Sequence, residues 1–317
     1  MRIGVDLGGT KIEVAALAPE GDYVSRLRAP TPASYDSAIS VIRDLIAQTE
    51  TATNARGTVG MGAPGSVSPT SGLVRNANTV WLNGRTPGKD LEQVLSRPVR
   101  IANDANCLAL SEAVDGAAAG FRTAFAVILG TGCGGGVVVD QRLVEGANGV
   151  GGEWGHLPLP WPAADETPGP ACWCGRRGCL ETWISGSGLQ RDFQTRTGRA
   201  LKGEEIVNAA ATGDAQAVEA LDRLFERLGR GLAMICDILD PDVFVFGGGL
   251  SKVEALYQRL PDLIAPHVFS DRWAAKLVPA RWGDASGVRG AAMLWSQPDW
   301  PADGLVPDSP RPASTTI

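Results

Sequence analysis

Two related α/β halves are predicted for this chain, and three observations predict them. A strand–glycine turn–strand unit at residues 3–17 recurs at 124–139, more than a hundred residues later. A third glycine run, Gly247-Gly248-Gly249, follows the apolar strand pattern Asp242-Val243-Phe244-Val245-Phe246. The length of 317 residues fits two ordinary domains better than one. Hydrophobic residues make up 44% and charged residues 20%, the balance of a globular chain that can bury a core.

The first unit reads Ile3-Gly4-Val5-Asp6-Leu7, a Gly8-Gly9-Thr10 turn with Lys11, then Ile12 to Leu17. A helix face follows at Tyr35, Ile39, Ile42 and Ile46, and the 60–65 segment runs from a strand end into a loop at Gly65. The second unit has an apolar run at 124–129. Its turn is Gly130-Thr131-Gly132-Cys133-Gly134-Gly135-Gly136, and Val137-Val138-Val139 leads out. Gly130, Gly132 and Gly135 formally satisfy the dinucleotide fingerprint, but that motif needs a following helix to hold the pyrophosphate. Three valines predict a strand instead, so the dinucleotide reading is rejected. What remains is a pair of hairpins whose glycines let backbone N–H groups approach an anion, although a plain tight hairpin explains either one alone.

A long amphipathic helix is expected over 215–239, with Val218, Leu221, Leu224, Phe225, Leu228 and Leu232 as core. A shorter helix over 253–264 contains Pro261, and a last one spans 288–295. The 298–317 tail, rich in Pro, Ser, Asp and Thr, is expected to be disordered.

Asp104 lies between the strand Val99-Arg100-Ile101 and a helix expected over 107–114. A carboxylate at a strand end can take the proton from an attacking hydroxyl in phosphoryl transfer. Locally, capping the helix explains it as well. Cys172-x-Cys174-x4-Cys179 is the most specific signal. With His156 it makes a Cys3His set, the pattern of a closed structural zinc site. Glu153 and Glu181 flank these ligands, so a metal there would hold two carboxylates close together, the usual means of gripping sugar hydroxyls. Cys107, Cys133 and Cys236 read as small buried residues, and His267 as structural.

A formal charge of −6 argues against a nucleic-acid partner. No apolar stretch approaches bilayer length and no signal-peptide pattern precedes the first strand, so a cytoplasmic location is expected.

Taken together, Asp6-Leu7-Gly8-Gly9-Thr10-Lys11, Asn103-Asp104, Leu129-Gly130-Thr131-Gly132, Gly152-Glu153-Trp154-Gly155-His156 and the 172–181 cysteine segment resemble the ROK family of sugar kinases and sugar-responsive repressors. The resemblance runs in order over residues 1–296. It implies an α/β, actin-like and hexokinase-like (ribonuclease-H-like duplicated) two-domain fold with a structural zinc loop. The smaller domain would be residues 1–118 plus 288–297, and the larger 119–287. ATP phosphates would lie on Gly4, Asp6, Gly8, Gly9, Thr10 and Lys11, and on Gly130, Thr131, Gly132, Cys133, Gly134 and Gly135. Gly248 and Gly249 would approach the adenosine, and Asp6 would orient magnesium through water. Asn103, Asp104, Glu153, His156, Glu181 and Gly65 would bind the sugar, with Asp104 as general base and Zn2+ on His156, Cys172, Cys174 and Cys179. The family habit is a homodimer. The 76–84 segment, Asn76-Ala77-Asn78-Thr79-Val80-Trp81-Leu82-Asn83-Gly84, resembles the bacterial fructokinase and mannokinase branch rather than the N-acetylglucosamine kinases. Phosphorylation of fructose at the 6-hydroxyl is therefore expected, with an N-acetylhexosamine kinase or glucokinase as the alternative. A sugar-sensing repressor would need a DNA-binding helix-turn-helix ahead of Ile3, where only Met1 and Arg2 stand.

Overall fold

The computed structural model describes residues 1–296. The chain divides into two compact units. The first comprises Met1–Asn103, Glu145–Val150 and the described residues from Ala291 on; the second comprises Asp104–Val144 and Gly151–Gly290. The division after Asn103 places the helix at Asp104 with the second unit, where residues up to 118 were expected with the first. The expected tail, 298–317, lies outside the described residues.

In the first unit β1 (Arg2–Leu7), β2 (Lys11–Leu17) and β3 (Tyr23–Pro30) form an antiparallel meander. Helix α1 (Tyr35–Thr53) leads to β4 (Thr58–Ala63), which lies parallel to β1. A small hairpin, β5 (Ser66–Val67) with β6 (Val74–Arg75), precedes α2 (Pro87–Leu95) and β7 (Val99–Asn103). The sheet order is β3-β2-β1-β4-β7. Helix α1 starts where the Ser34 side chain accepts from the Ser37 N–H, and it stops at Asn54 in the left-handed region, φ 48°. Its Tyr35, Ile39, Ile42 and Ile46 are buried as the spacing predicts, together with Ile3, Val5, Ile12 and Val14. Each buried isoleucine contributes about 1.5–3 kcal/mol of transfer free energy, which makes this helix face the sheet's main anchor.

The second unit repeats the pattern. Helix α3 (Asp104–Asp115) leads to the meander β8 (Thr123–Leu129), β9 (Cys133–Val139) and β10 (Arg142–Leu143). After an irregular segment come α4 (Glu181–Ile184), α5 (Gly186–Thr197), α6 (Gly203–Ala211) and α7 (Ala215–Leu239). Then β11 (Val243–Gly247) pairs parallel with β8, and after α8 (Glu254–Ile264) strand β12 (Lys276–Pro279) pairs parallel with β11. Helix α9 (Ser286–Met293) follows. The order β10-β9-β8-β11-β12 has the same sequence of antiparallel and parallel pairings as the first sheet. The duplicated α/β expectation therefore holds at the level of strand order.

Helix α7 buries Leu221, Leu224, Phe225, Leu228 and Leu232. Val218 departs from the expected core set. It is 39% exposed, and Ala217 takes the buried position in that turn. Cys107, Cys133 and Cys236 are all buried and unbridged. His267 ends a short 3-10 turn and stacks on Trp161, with ring centroids 5.2 Å apart. No helix among the described residues is long and apolar enough to cross a membrane.

Candidate active site

The first unit supplies a glycine turn at the end of its central strand. Gly4 and Asp6 lie on β1, and Lys11 opens β2. The turn closes through the Gly8 N–H donating to the Lys11 carbonyl at 3.0 Å. The Thr31 hydroxyl braces it by donating to the Gly8 carbonyl at 2.7 Å. Gly9 and Thr10 are exposed. Lys11 reaches Glu13 at 3.5 Å, and Arg26 and Arg28 also pair with that buried carboxylate. In the same unit Gly65 and Asn103 come together, the Asn103 amide donating to the Gly65 carbonyl at 2.9 Å. Gly65 has φ +83°, and a Cβ there would lie 2.5 Å from the Arg75 carbonyl oxygen, so only glycine fits.

In the second unit the β8–β9 turn meets the loop after β11. The Gly130 N–H donates to the Gly132 carbonyl at 3.0 Å, and the Gly186 N–H at the start of α5 donates to the Gly130 carbonyl at 2.8 Å. A Cβ on Gly248 would lie 2.9 Å from the Gly130 nitrogen, whereas Gly249 faces open space. Gly130, Thr131, Gly132, Gly248 and Gly249 thus lie together beyond the carboxyl ends of the adjacent strands β8 and β11. A strand follows the turn, as the three valines predict.

Cys133, Gly134 and Gly135 are placed differently from the phosphate-lining expectation. The Cys133 N–H donates to Glu181 Oε2 at 3.0 Å. Gly134 and Gly135 lie inside the β8–β9 ladder. A Cβ on Gly135 would sit 2.7 Å from the Gly152 carbonyl oxygen, and one on Gly136 only 2.6 Å from that of Ala105. These glycines let α3 and the Gly152 loop approach the sheet closely, a packing reason that a glycine run in sequence cannot distinguish from ligand approach.

Asp104 is the first residue of α3, and its Oδ1 accepts from the Ala105 N–H at 2.8 Å. The residue is open to solvent, yet protein atoms crowd its carboxylate, and this desolvation raises its pKa above the ordinary aspartate value. Glu153 is raised chiefly by desolvation. His156 opposes the shift, and Asp104 and Glu181 add to it. Asp104, Glu153, His156 and Glu181 are therefore within electrostatic reach of one another inside a single unit.

The irregular 151–180 segment builds this cluster. A 3-10 turn, Trp154–His156, is anchored by the buried Trp154 ring, whose indole N–H donates to the Gly134 carbonyl at 3.1 Å. The Leu159 N–H donates to Gly178, and the Leu180 N–H to Leu157, which lays the histidine strand beside the cysteine strand. Donor atoms of His156, Cys172, Cys174 and Cys179 all lie within 4.8 Å of one another. Cys172 Sγ is 3.6 Å from His156 Nδ1, and Cys174 Sγ is 3.6 Å from Cys179 Sγ. A tetrahedral zinc with bonds of about 2.3 Å requires ligand–ligand edges of about 3.8 Å, so this donor set fits the metal.

A buried ionic network clamps the segment to α7, and it was not read from the sequence. Arg227 Nε donates to Glu166 Oε1 at 2.7 Å, and Arg230 Nη2 to Glu166 Oε2 at 2.9 Å. Arg230 also donates to the Trp161 carbonyl at 2.8 Å, and Arg227 to Asp192 at 2.9 Å. Burial alone would raise the Glu166 carboxyl, but Arg227, the Ala163 N–H and Arg230 together hold it below its ordinary value. The available signal was two arginines, Arg227 and Arg230, set among Leu224, Leu228 and Leu232 on a helix that otherwise buries apolar residues.

The family model described as the ROK family matches residues 2–298. The chain is 43% identical over 299 residues to an N-acetyl-D-glucosamine kinase of Photobacterium profundum, covering 93% of this chain and 99% of that one. It is 39% identical to the enzyme of the same name from Pectobacterium atrosepticum, covering 93% and 98%. Among solved structures it resembles a ROK hexokinase from Thermus thermophilus, with TM-score 0.82, 32% identity, and 92% and 96% of the two chains covered. A ROK glucokinase from Streptomyces griseus, in complex with glucose and AMPPNP, matches at TM-score 0.75 and 30% identity, covering 92% and 98%.

These relatives do not support the fructokinase expectation drawn from the 76–84 segment. Its residues are spent on local structure. The Asn83 amide donates to the Ala77 carbonyl at 3.0 Å and its oxygen accepts from the Ala77 N–H at 2.9 Å, while Trp81 packs edge-on to Tyr35 at 6.3 Å. With the model matched over nearly its whole length and the duplicated sheet in place, the chain belongs to the ROK family.

Proposed function

We propose that this protein transfers the terminal phosphate of ATP to the 6-hydroxyl of N-acetylglucosamine. The broader statement, that it is an ATP-dependent sugar kinase, follows from its family and its relatives. The observation that carries the choice of sugar is the 38–43% identity, across 93% of this chain, to enzymes named N-acetyl-D-glucosamine kinases.

In this reading Glu153 and Glu181 accept hydrogen bonds from sugar hydroxyls and His156 donates one, with Asn103 and Gly65 as further sugar contacts. Asp104 takes the proton of the attacking hydroxyl, and desolvation, which raises its pKa, makes its carboxylate a stronger base. The glycine turns at Gly8–Thr10 and Gly130–Gly132, with Lys11, hold the phosphates, and Gly248 and Gly249 lie against the nucleoside. Magnesium, carried with ATP and oriented through Asp6, would neutralise phosphate charge. Zinc on His156, Cys172, Cys174 and Cys179 would have no open position and would act by holding the loop. His156 presents Nδ1 to the cysteines, which leaves Nε2 for the sugar. A panel of N-acetylglucosamine, N-acetylmannosamine, glucose, mannose and fructose with ATP tests the reading. N-acetylglucosamine is expected to give the highest kcat/KM, and a higher value for fructose would overturn the proposal.

A further inference from the structure

Between the two cysteines of the Cys172-x-Cys174 turn stands an aromatic residue that the metal motif itself does not require. Trp173 is 56% exposed, so it contributes little to a core. Its indole N–H nevertheless donates to Glu181 Oε1 at 2.6 Å, and its ring meets His156 edge-on at 4.8 Å between centroids. The other Glu181 oxygen takes the Cys133 N–H at 3.0 Å. Both carboxylate oxygens are thus held by protein donors from two different elements. Each oxygen can accept two hydrogen bonds, so one acceptor position on each stays free for a ligand hydroxyl.

The turn that carries Trp173 is closed by two backbone hydrogen bonds. The Cys172 N–H donates to the Arg176 carbonyl at 2.8 Å, and the Gly175 N–H donates to the Cys172 carbonyl at 3.0 Å. Candidate metal ligands stand on both sides of Trp173, so anything that fixes the cluster also fixes the backbone that presents the indole. Indole is a donor only, and a carboxylate is an acceptor only, so the contact has one polarity and one geometry. Without it, Glu181 Oε1 loses its directional restraint and the carboxylate can rotate about the remaining Cys133 contact.

We infer that Trp173 is a positioning residue for the acceptor sugar, setting the Glu181 carboxylate through its indole N–H and transmitting the order of the cysteine cluster to it. The inference rests on the sugar-kinase reading above but not on which hexose is preferred. Trp173 acts on sugar binding through Glu181 and makes no contribution to ATP binding or to proton removal by Asp104.

The test compares wild-type protein with Trp173→Phe and Trp173→His, using whichever hexose the wild type turns over best. In Trp173→Phe the sugar KM is expected to rise about tenfold, the scale of a lost hydrogen bond to a charged group. The kcat, the ATP KM and the melting temperature are expected to stay near wild type. Trp173→His, which keeps a ring N–H, should recover part of the sugar KM. An unchanged sugar KM in folded Trp173→Phe would overturn the inference, as would equal losses in kcat and ATP KM. Failure of Trp173→Phe to fold would also overturn it, because a residue acting only on Glu181 supports no core.

A second readout needs no turnover. The sequence holds nine tryptophans, and the Trp173 indole N–H resonance is assigned by its disappearance in Trp173→Phe. Glu181→Ala is expected to move that resonance upfield, and a resonance that does not move would exclude the contact. The choice of hexose is decided separately by the wild-type panel, so failure of the N-acetylglucosamine reading and failure of the Trp173 inference give different results.

Discussion

In the first unit the turn after β1 leaves Gly9 open, with the nearest atom to an added Cβ being Thr79 Oγ1 at 3.9 Å. In the second unit, glycines of the corresponding hairpin are crowded. Added carbons at Gly135 and Gly136 would lie 2.7 and 2.6 Å from backbone oxygens. The same strand order and the same glycine-rich hairpin therefore serve different ends. One turn is free to face a ligand, and in the other hairpin Gly136 lets α3, which begins at Asp104, pack closely on the sheet. The second unit also carries the Cys3His set, which has no counterpart among the first unit's described residues, and both units bury a carboxylate between arginines, Glu166 with the buried Arg227 and Arg230 and Glu13 with the partly exposed Arg26 and Arg28.

If chemistry is concentrated in the second unit, its carboxylate cluster should dominate mutant kinetics. Asp104→Ala is expected to lower kcat by about 10²–10⁴-fold, the usual worth of a positioned base, with the melting temperature preserved. Near-full activity in that variant would remove Asp104 from the reaction. Next in size is Glu166→Ala, which strands two buried guanidinium groups and should cost about 3–5 kcal/mol in denaturant unfolding. A change of a few tenths would show that the clamp is dispensable.

The glycine contrast is sharpened by a matched pair. Gly136→Ala should destabilise by about 1–3 kcal/mol through overpacking against Ala105. Gly9→Ala should alter stability by no more than about 0.5 kcal/mol and act instead on the ATP KM. Equal destabilisation by both would break the comparison.

The pH profile offers a subtler test. Desolvation raises the Asp104 carboxyl, so the base becomes protonated, and kcat/KM falls, at a pH above the ordinary aspartate value of about 3.9 as the solution is acidified. An acid limb at or below that value would contradict the crowded environment. A further small effect is expected in the first unit. Ser34→Ala removes the α1 cap and should cost about 1 kcal/mol or less, given its 3.4 Å contact with the Ser37 N–H.

Periodic patterns were legible because they are local. The 215–239 helix, the apolar strands and the face of α1 each follow from side-chain spacing alone, since burial of one face imposes that spacing. The cysteine motif was legible for a similar reason. Its three cysteines lie within eight residues and need only one more donor to complete a metal site, a place that His156 can fill. Val218 was misplaced because an apolar residue at helical spacing can still fall at the rim of the buried face. The fructokinase expectation rested on one nine-residue segment, and relatives matched over 93% of the chain outweigh it.

By itself, then, the sequence determined the duplicated strand–turn–strand design, the candidate metal-ligand set and the candidate base, each of them announced by short local motifs. Only the tertiary structure decided that Gly135 and Gly136 are packing glycines, that Arg227 and Arg230 grip Glu166, and that Trp173 holds Glu181. Those roles depend on which atoms lie within about 3 Å across distant parts of the chain, and residue spacing does not encode that distance.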